Sequence, residues 1–121
     1  MTAFDANIPI YLQIMRTIKQ RIVSGSLTSG DRLPSVREQA EELSVNPNTV
    51  QRAYQELERE GISETKRGTG TFIAEKGTLV EDIRTEMAAE ILRNFIAGMR
   101  ALGYDDGSIV GVLKKELGGT N

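Results

Sequence analysis

The sequence predicts a mainly α-helical protein of the α+β class, with three short helices, a two-stranded hairpin and two further helices. Apolar residues recur at three- and four-residue steps through most of the chain, which is the spacing of helices with one buried face. Two helix-start signals follow one another closely, and a glycine-rich basic turn after them separates two short strand-like runs.

Composition excludes several classes of chemistry. The 121 residues suffice for one compact domain or a small domain with an appendage. The chain has no Cys and no His, which removes thiolate nucleophiles, the usual general base and the commonest transition-metal ligands. Charges in the first 25 residues disfavour a signal peptide or membrane anchor, so we expect a cytoplasmic protein. From the residue types we expect no cofactor and no metal. The net charge of −2 gives no general attraction to nucleic acid.

The first helix is predicted to begin with Pro9 as its first residue and to end near Ser24, with Gly25 closing it. Its apolar stripe consists of Tyr11, Ile14, Met15, Ile18 and Ile22. Glycines and turn-forming residues then predict a loop from Gly25 to Leu33.

The second and third helices each carry a clear start signal. Ser35 and Glu38 form a predicted capping box for a helix that ends near Ser44. Asn46 followed by Pro47 starts a third helix that runs to about Glu60. With Val45 in the tight turn between them, the two helices form a helix-turn-helix.

Residues 62–73 predict two short strands joined by the basic turn from Lys66 to Gly70. A helix-turn-helix followed by such a hairpin is a winged helix, so we predict a three-helix winged helix-turn-helix with a two-stranded wing, spanning 1–76.

A helical tail is predicted over 77–121. Its first helix runs from about Leu79 to Leu102 and carries apolar residues over about half its circumference, more than packing on one small domain requires. The excess indicates contact with a second copy of the chain. The predicted dimer interface consists of Met87, Ile91, Leu92, Phe95, Ile96, Met99, Leu102, Ile109 and Leu113. Asp105 or Asp106 caps the last helix, Gly107–Leu117, and this explains the pair better than a metal site does.

The outer face of the third helix carries amides and guanidinium groups, and no acid lies between Val45 and Gln55. Asn and Gln can bond bidentately to adenine and Arg to guanine in the major groove, whereas hydroxyls, cap residues and basic turns suit phosphates. The predicted DNA-binding residues are Ser35, Arg37, Asn46, Asn48, Thr49, Gln51, Arg52, Gln55, Lys66, Arg67, Gly68 and Thr69. The alternatives are a solvated helix face and an ordinary hairpin turn; a phosphate-loop interpretation fails because its spacing and setting are missing.

The stretch LPSVREQAEELSVNPNTVQRAYQELEREGISETKRGTGTFI resembles the DNA-binding domain of the GntR family of bacterial transcription regulators. The short two-helix tail and the run VNPNTV resemble its YtrA-like subfamily. The resemblance places the family's DNA-contacting arginine on Arg37, and its wing contacts on Arg67 and Gly68. Many members have Arg at the positions of Pro47 and Gln51, so Asn48 and Arg52 are expected to read bases instead.

The resemblance implies a homodimer that binds double-stranded DNA at an inverted-repeat operator, most simply as a repressor. It also implies control of a neighbouring transporter operon by a small-molecule effector that the sequence does not identify. The 45 or so residues after the wing leave little volume for a metabolite. The alternative is a winged helix that binds a protein partner without DNA; an enzyme would need a clustered catalytic group that the sequence does not show.

Overall fold

The computed structural model describes residues 4–118 and contains the predicted elements in the predicted order. The helices are α1 (Ile10–Ser24), α2 (Val36–Leu43), α3 (Pro47–Arg59), α4 (Leu79–Ala101) and α5 (Asp106–Glu116), and the strands are β1 (Ser63–Lys66) and β2 (Gly70–Ile73). The fold is divided into two compact units, of which the first extends to Ile83 and the second begins at Arg84. The division at 76 and 77 drawn from the sequence stays a proposal.

The helix starts follow the sequence signals closely. The Ser35 hydroxyl accepts a hydrogen bond from the Glu38 amide at 3.1 Å, and the Glu38 carboxylate accepts one from the Ser35 amide at 2.9 Å. Asn46 caps α3 by accepting from the Asn48 amide at 2.8 Å, with Pro47 at the first helical position. Pro9 differs from the expectation, since it is the N-cap of α1 and the helix proper begins at Ile10.

The predicted loop over 25–33 ends in an extended segment that pairs with the wing. Arg32 forms an antiparallel bridge with Phe72, and the Leu33 amide donates to the carbonyl oxygen of Thr71 at 2.8 Å. β1 and β2 pair in register from Ser63 opposite Ile73 to Lys66 opposite Gly70. β2 therefore forms backbone hydrogen bonds on both edges, with β1 on one edge and residues 31–33 on the other. Residues 31–33 are too few to show the alternating polarity that predicts a strand.

The core of the first unit lies between α1, α2, α3 and the sheet. α1 and α3 run in the same direction, since Tyr11 contacts Arg52 and, further along both helices, Lys19 pairs with Glu60. The most deeply buried large side chains are Ile22, Leu33, Val50, Leu57 and Ile73. α3 thus presents one side to the core along its whole length.

Tyr54 joins α3 to the start of α2. Its side chain is 5% exposed, and its hydroxyl donates to the carbonyl oxygen of Pro34 at 2.8 Å. Burial, with the charges of Glu38 and Glu42 nearby, raises the pKa of Tyr54 to about 12.

The second unit contains most of α4 and all of α5. Asp105 accepts a hydrogen bond from the Ser108 amide at 2.8 Å, which confirms the predicted cap and lowers the pKa of its carboxyl group. Asp106 pairs with Arg100 at 2.9 Å. Within 4–118, acidic side chains form no cluster suited to a metal ion, and no helix is long and apolar enough to cross a membrane.

Tyr54→Phe tests the role of this buried hydroxyl. The raised pKa means that the folded state favours the neutral phenol. The contribution of Tyr54 to the free energy of unfolding is therefore complete below pH 10 and is lost as the pH rises toward 12. We expect the free energy of unfolding of the unsubstituted chain to fall by about 2–3 kcal/mol over this range, measured by urea denaturation. Tyr54→Phe should cost about 1 kcal/mol at neutral pH and remove most of the alkaline loss. An equal alkaline loss in both proteins would show that another group causes it.

Candidate nucleic-acid interface

The outer side of α3 is formed by the residues opposite its buried side. Because successive residues are about 100° apart around a helix, burial of Val50, Ala53, Tyr54 and Leu57 turns the opposite side toward solvent. Asn48, Arg52, Gln55 and Arg59 occupy that opposite side, and all four are exposed. Gln51 is also exposed but lies about 70° from its centre, and Thr49 is half-buried on the other flank. The predicted face therefore exists, with Gln51 and Thr49 at its margins.

The acidic residues at the end of α3 are all engaged within the first unit. Glu56 pairs with Arg59 at 3.3 Å, and Glu60 pairs with Lys19 at 2.8 Å. Glu58 accepts a hydrogen bond from a backbone amide of β1 at 2.8 Å. These contacts hold the carboxylates at the C-terminal end of α3, so the outer side of its first two turns keeps an uncompensated positive charge.

One of the two cap residues retains free hydrogen-bond donors. The side-chain oxygens of Ser35 and Asn46 accept the cap bonds, and among the described residues the side-chain amide protons of Asn46 have no acceptor, which leaves them for a group such as phosphate. The hydrogen bonds from Ser35 also lower the pKa of Glu38. Arg37 faces Glu41 at 3.8 Å with both side chains mostly exposed, a weak pair that can open at little cost.

The wing tip is a tight turn with two cations. The Thr69 amide donates to the Lys66 carbonyl oxygen at 2.9 Å, and Gly68 takes the left-handed conformation, with φ 75°, that glycine adopts without strain. Arg67 is exposed at the tip, and the Lys66 ammonium lies 5.0 Å from the centroid of the Phe72 ring. The tip is thus basic and open to solvent.

Arg32 adds a third cation to the wing and was not among the predicted site residues. Its side chain lies directly over Gly70, where a Cβ atom would stand 2.7 Å from the arginine Nε. Gly70 also has φ 139°, so this position favours glycine for two independent reasons. No sequence signal marks Arg32, because it reaches the wing through the pairing of residues 31–33 with β2, which is a tertiary contact.

Tyr11 is a second residue of this surface that the sequence analysis did not include among the predicted site residues. The Tyr11 side chain, expected in the buried stripe of α1, is half-buried and lies beneath Arg52. The guanidinium carbon stands 3.9 Å from the ring centroid, and its Nη2 donates to the Tyr11 hydroxyl at 3.3 Å. Arg52 is therefore held by a residue distant in sequence rather than free in solvent.

Comparison with known proteins decides the family. The sequence model of the family described as bacterial regulatory proteins, gntR family, matches residues 10–73. This range covers α1, the helix-turn-helix and the wing. The chain belongs to the GntR family. Its members are transcription regulators and not enzymes, and the predicted fold and family resemblance are confirmed.

Two relatives from Bacillus subtilis (strain 168) match most of the GntR-family chain. The HTH-type transcriptional regulator YhcF is 51% identical over 100 residues, which are 83% of each chain. The HTH-type transcriptional repressor YtrA is 50% identical over 99 residues, which are 80% of this chain and 75% of that protein. Both matches extend beyond the winged helix.

Solved structures support the same assignment. A GntR family transcriptional regulator from Listeria monocytogenes has a TM-score of 0.81 and 44% identity, covering 93% of this chain and 98% of that one. AraR(DBD) in complex with operator ORR3 matches with a TM-score of 0.54 and 26% identity, over 61% of this chain and 87% of that one. The individual DNA-binding and dimer-interface residues stay predictions.

Proposed function

We propose that this GntR-family regulator is a homodimeric repressor that binds an inverted-repeat operator through α3 and the wing. The observation that carries the proposal is the outer side of α3, which is exposed, rich in amides and guanidinium groups, and free of acid over its first two turns. The structure of AraR(DBD) with its operator supports DNA as the partner. The winged helix would then act on chromosomal DNA in the cytoplasm.

In the proposed complex, the outer side of α3 from Asn48 to Gln55 enters the major groove. Asn48 and Gln55 have the side-chain amides that pair with adenine, and Arg52 has the fork that pairs with the O6 and N7 atoms of guanine. Ser35 and Asn46 lie at neighbouring helix starts and are proposed to contact phosphates, Asn46 through its free side-chain amide protons. Arg37 is proposed to contact a phosphate in place of Glu41. Base contacts specify the operator, whereas phosphate contacts set the register of the protein on it.

The wing supports this docking with charge. Lys66, Arg67 and Arg32 give it three cations, and the small residues of the turn let the backbone come close to DNA. Because the acids of α3 are engaged at its other end, the local potential favours phosphate although the whole chain has a net charge of −2.

The second unit supports the dimer, because a single copy leaves much of its apolar surface in water. Ile91, Leu92 and Leu102 are 65%, 53% and 76% exposed, and Leu113 on α5 is 38% exposed. Their neighbours Met87, Phe95, Ile96 and Met99 are half-buried. A second copy would bring the same apolar stripe to each partner, as twofold symmetry requires. Ile109 is only 6% exposed, so it gives a partner little surface, and its place in the interface stays a prediction.

Repression is proposed from the relative YtrA, a repressor that is 50% identical. A small-molecule effector stays a prediction. The cavity lined by Ile14, Leu33 and Tyr54 has a volume of about 40 Å³, well below the ~300 Å³ of typical metabolite sites, whereas the open groove lined by Leu27 and Val80 has a volume of about 450 Å³. Docking of the α3 face on a protein partner remains the alternative function.

Selection of duplexes from a random pool tests the proposal as a whole. We expect recovery of an inverted repeat whose half-sites are about 34 Å apart, because a twofold-symmetric protein reads a twofold-symmetric site from one groove to the next. Failure to enrich any sequence, at low salt as well as at high salt, would favour the protein-interaction alternative.

Arg67→Ala tests the wing. Loss of one phosphate contact should weaken binding to all sequences about equally and reduce the slope of log K against log salt concentration by about one. Arg21→Ala is the matched control, since it removes the same charge from an exposed position in the last turn of α1. Measured by fluorescence anisotropy over a salt series, an unchanged slope for Arg67→Ala would place the wing tip away from phosphate.

Phe95→Asp tests the dimer. Phe95 lies at the centre of the apolar stripe of α4, where a buried carboxylate would have no partner. We expect the variant to sediment as a monomer and to lose most of its operator affinity. Asn94→Asp adds the same charge about 100° around the helix and should remain dimeric. A dimer that persists in Phe95→Asp would move the interface to another surface.

A further inference from the structure

The contact between Tyr11 and Arg52 joins a residue of α1 to a cation on the outer side of α3. Tyr11 comes from the first turn of α1, and its ring lies 3.9 Å from the guanidinium carbon of an arginine on the outer side of α3. Core packing does not require the pair, since Arg52 is exposed, Tyr11 is half-buried and Ile14 anchors the same end of α1.

The contact with Tyr11 leaves most of the donors of Arg52 available. The guanidinium carbon lies over the ring and Nη2 donates to the Tyr11 hydroxyl at 3.3 Å, which leaves Nε and Nη1 without a hydrogen-bond partner among the described residues. A guanidinium held in this way has a fixed plane and loses less rotational freedom when it meets a base. The ring also stabilises the cation without neutralising it.

Arg59 gives the internal comparison. It lies on the same outer side of α3, two turns further along, and pairs with Glu56 at 3.3 Å. A carboxylate partner competes directly with DNA for the donors of Arg59. The Tyr11 ring occupies no donor of Arg52, and the Tyr11 hydroxyl accepts from Nη2 alone. Of these two arginines, Arg52 is the one prepared to read a base.

We propose that Tyr11 is a positioning residue for DNA recognition, which fixes the plane of Arg52 and thereby the base that this arginine selects. The proposal rests on the proposed function, in which the outer side of α3 enters the major groove. It adds α1 to the determinants of operator sequence, through a side chain that need not touch DNA itself.

A double-mutant cycle on the selected operator tests the proposal. We measure dissociation constants for the full chain and its variants, on that operator and on duplexes with each base in turn at the half-site positions. Arg52→Ala should weaken binding by about five- to 150-fold and abolish preference at one position. Tyr11→Leu should weaken binding by about two- to fivefold and relax preference at that same position. Tyr11→Phe should retain most of the preference, because the stacking surface remains.

The double variants separate positioning from direct contact. Tyr11→Leu should have little effect in the Arg52→Ala background, because the residue it positions is already gone. In the Arg59→Ala background its effect should be the same as in the unsubstituted chain. Additive losses for Tyr11→Leu and Arg52→Ala would show that Tyr11 contacts DNA independently, and tighter binding by Tyr11→Leu would show that the stack restrains Arg52; either result overturns the proposal.

Side-chain NMR of the free protein gives a second readout that does not depend on DNA. Tyr11→Leu should raise the mobility of the Arg52 Nε–H group and leave that of Arg59 unchanged, with the backbone spectrum of α3 preserved. An unchanged Arg52 would overturn the proposal. If Arg52→Ala itself has no effect on binding, the assignment of base reading to Arg52 fails; if it has its effect and Tyr11→Leu has none, only the role of Tyr11 fails.

Discussion

Burial of one side of α3 is the constraint on which the rest of the site depends. Val50, Ala53 and Leu57 have no exposed surface, and Tyr54 is both buried and hydrogen-bonded to the start of α2. A helix fixed in this way cannot rotate about its axis without exposing apolar surface, at roughly 25 cal/mol for each Å². The direction in which Asn48, Arg52 and Gln55 point is therefore set by the hydrophobic effect acting on the opposite side.

The electrostatics of the first unit follow from the same arrangement. A protein with a net negative charge can still present a positive surface if its acids are held elsewhere, and Glu56, Glu58 and Glu60 are held at one end of α3 by a pair, a backbone amide and Lys19. Each contact is individually weak, because these groups are partly exposed. Together they determine where the carboxylates lie, which matters more for a DNA-binding surface than the energy they contribute.

The second unit differs in kind from the first. The first unit buries most of its large apolar side chains, whereas the second unit keeps several of its own in water, including Ile91, Leu102 and Leu117. An apolar surface of this extent is stable in solution when a partner covers it. The exposed apolar surface of the tail is thus the observation that supports the proposed dimer.

The sequence by itself determined the secondary structure and which side of α3 faces outward. Capping residues and helical periodicity are local signals, so Ser35, Asn46 and the apolar positions of α3 were enough to fix these features. Only the tertiary structure decided what surrounds that side. Tyr11 beneath Arg52, and Arg32 beside the wing, come together because distant segments pack against one another, and neither contact leaves a periodic pattern in the chain.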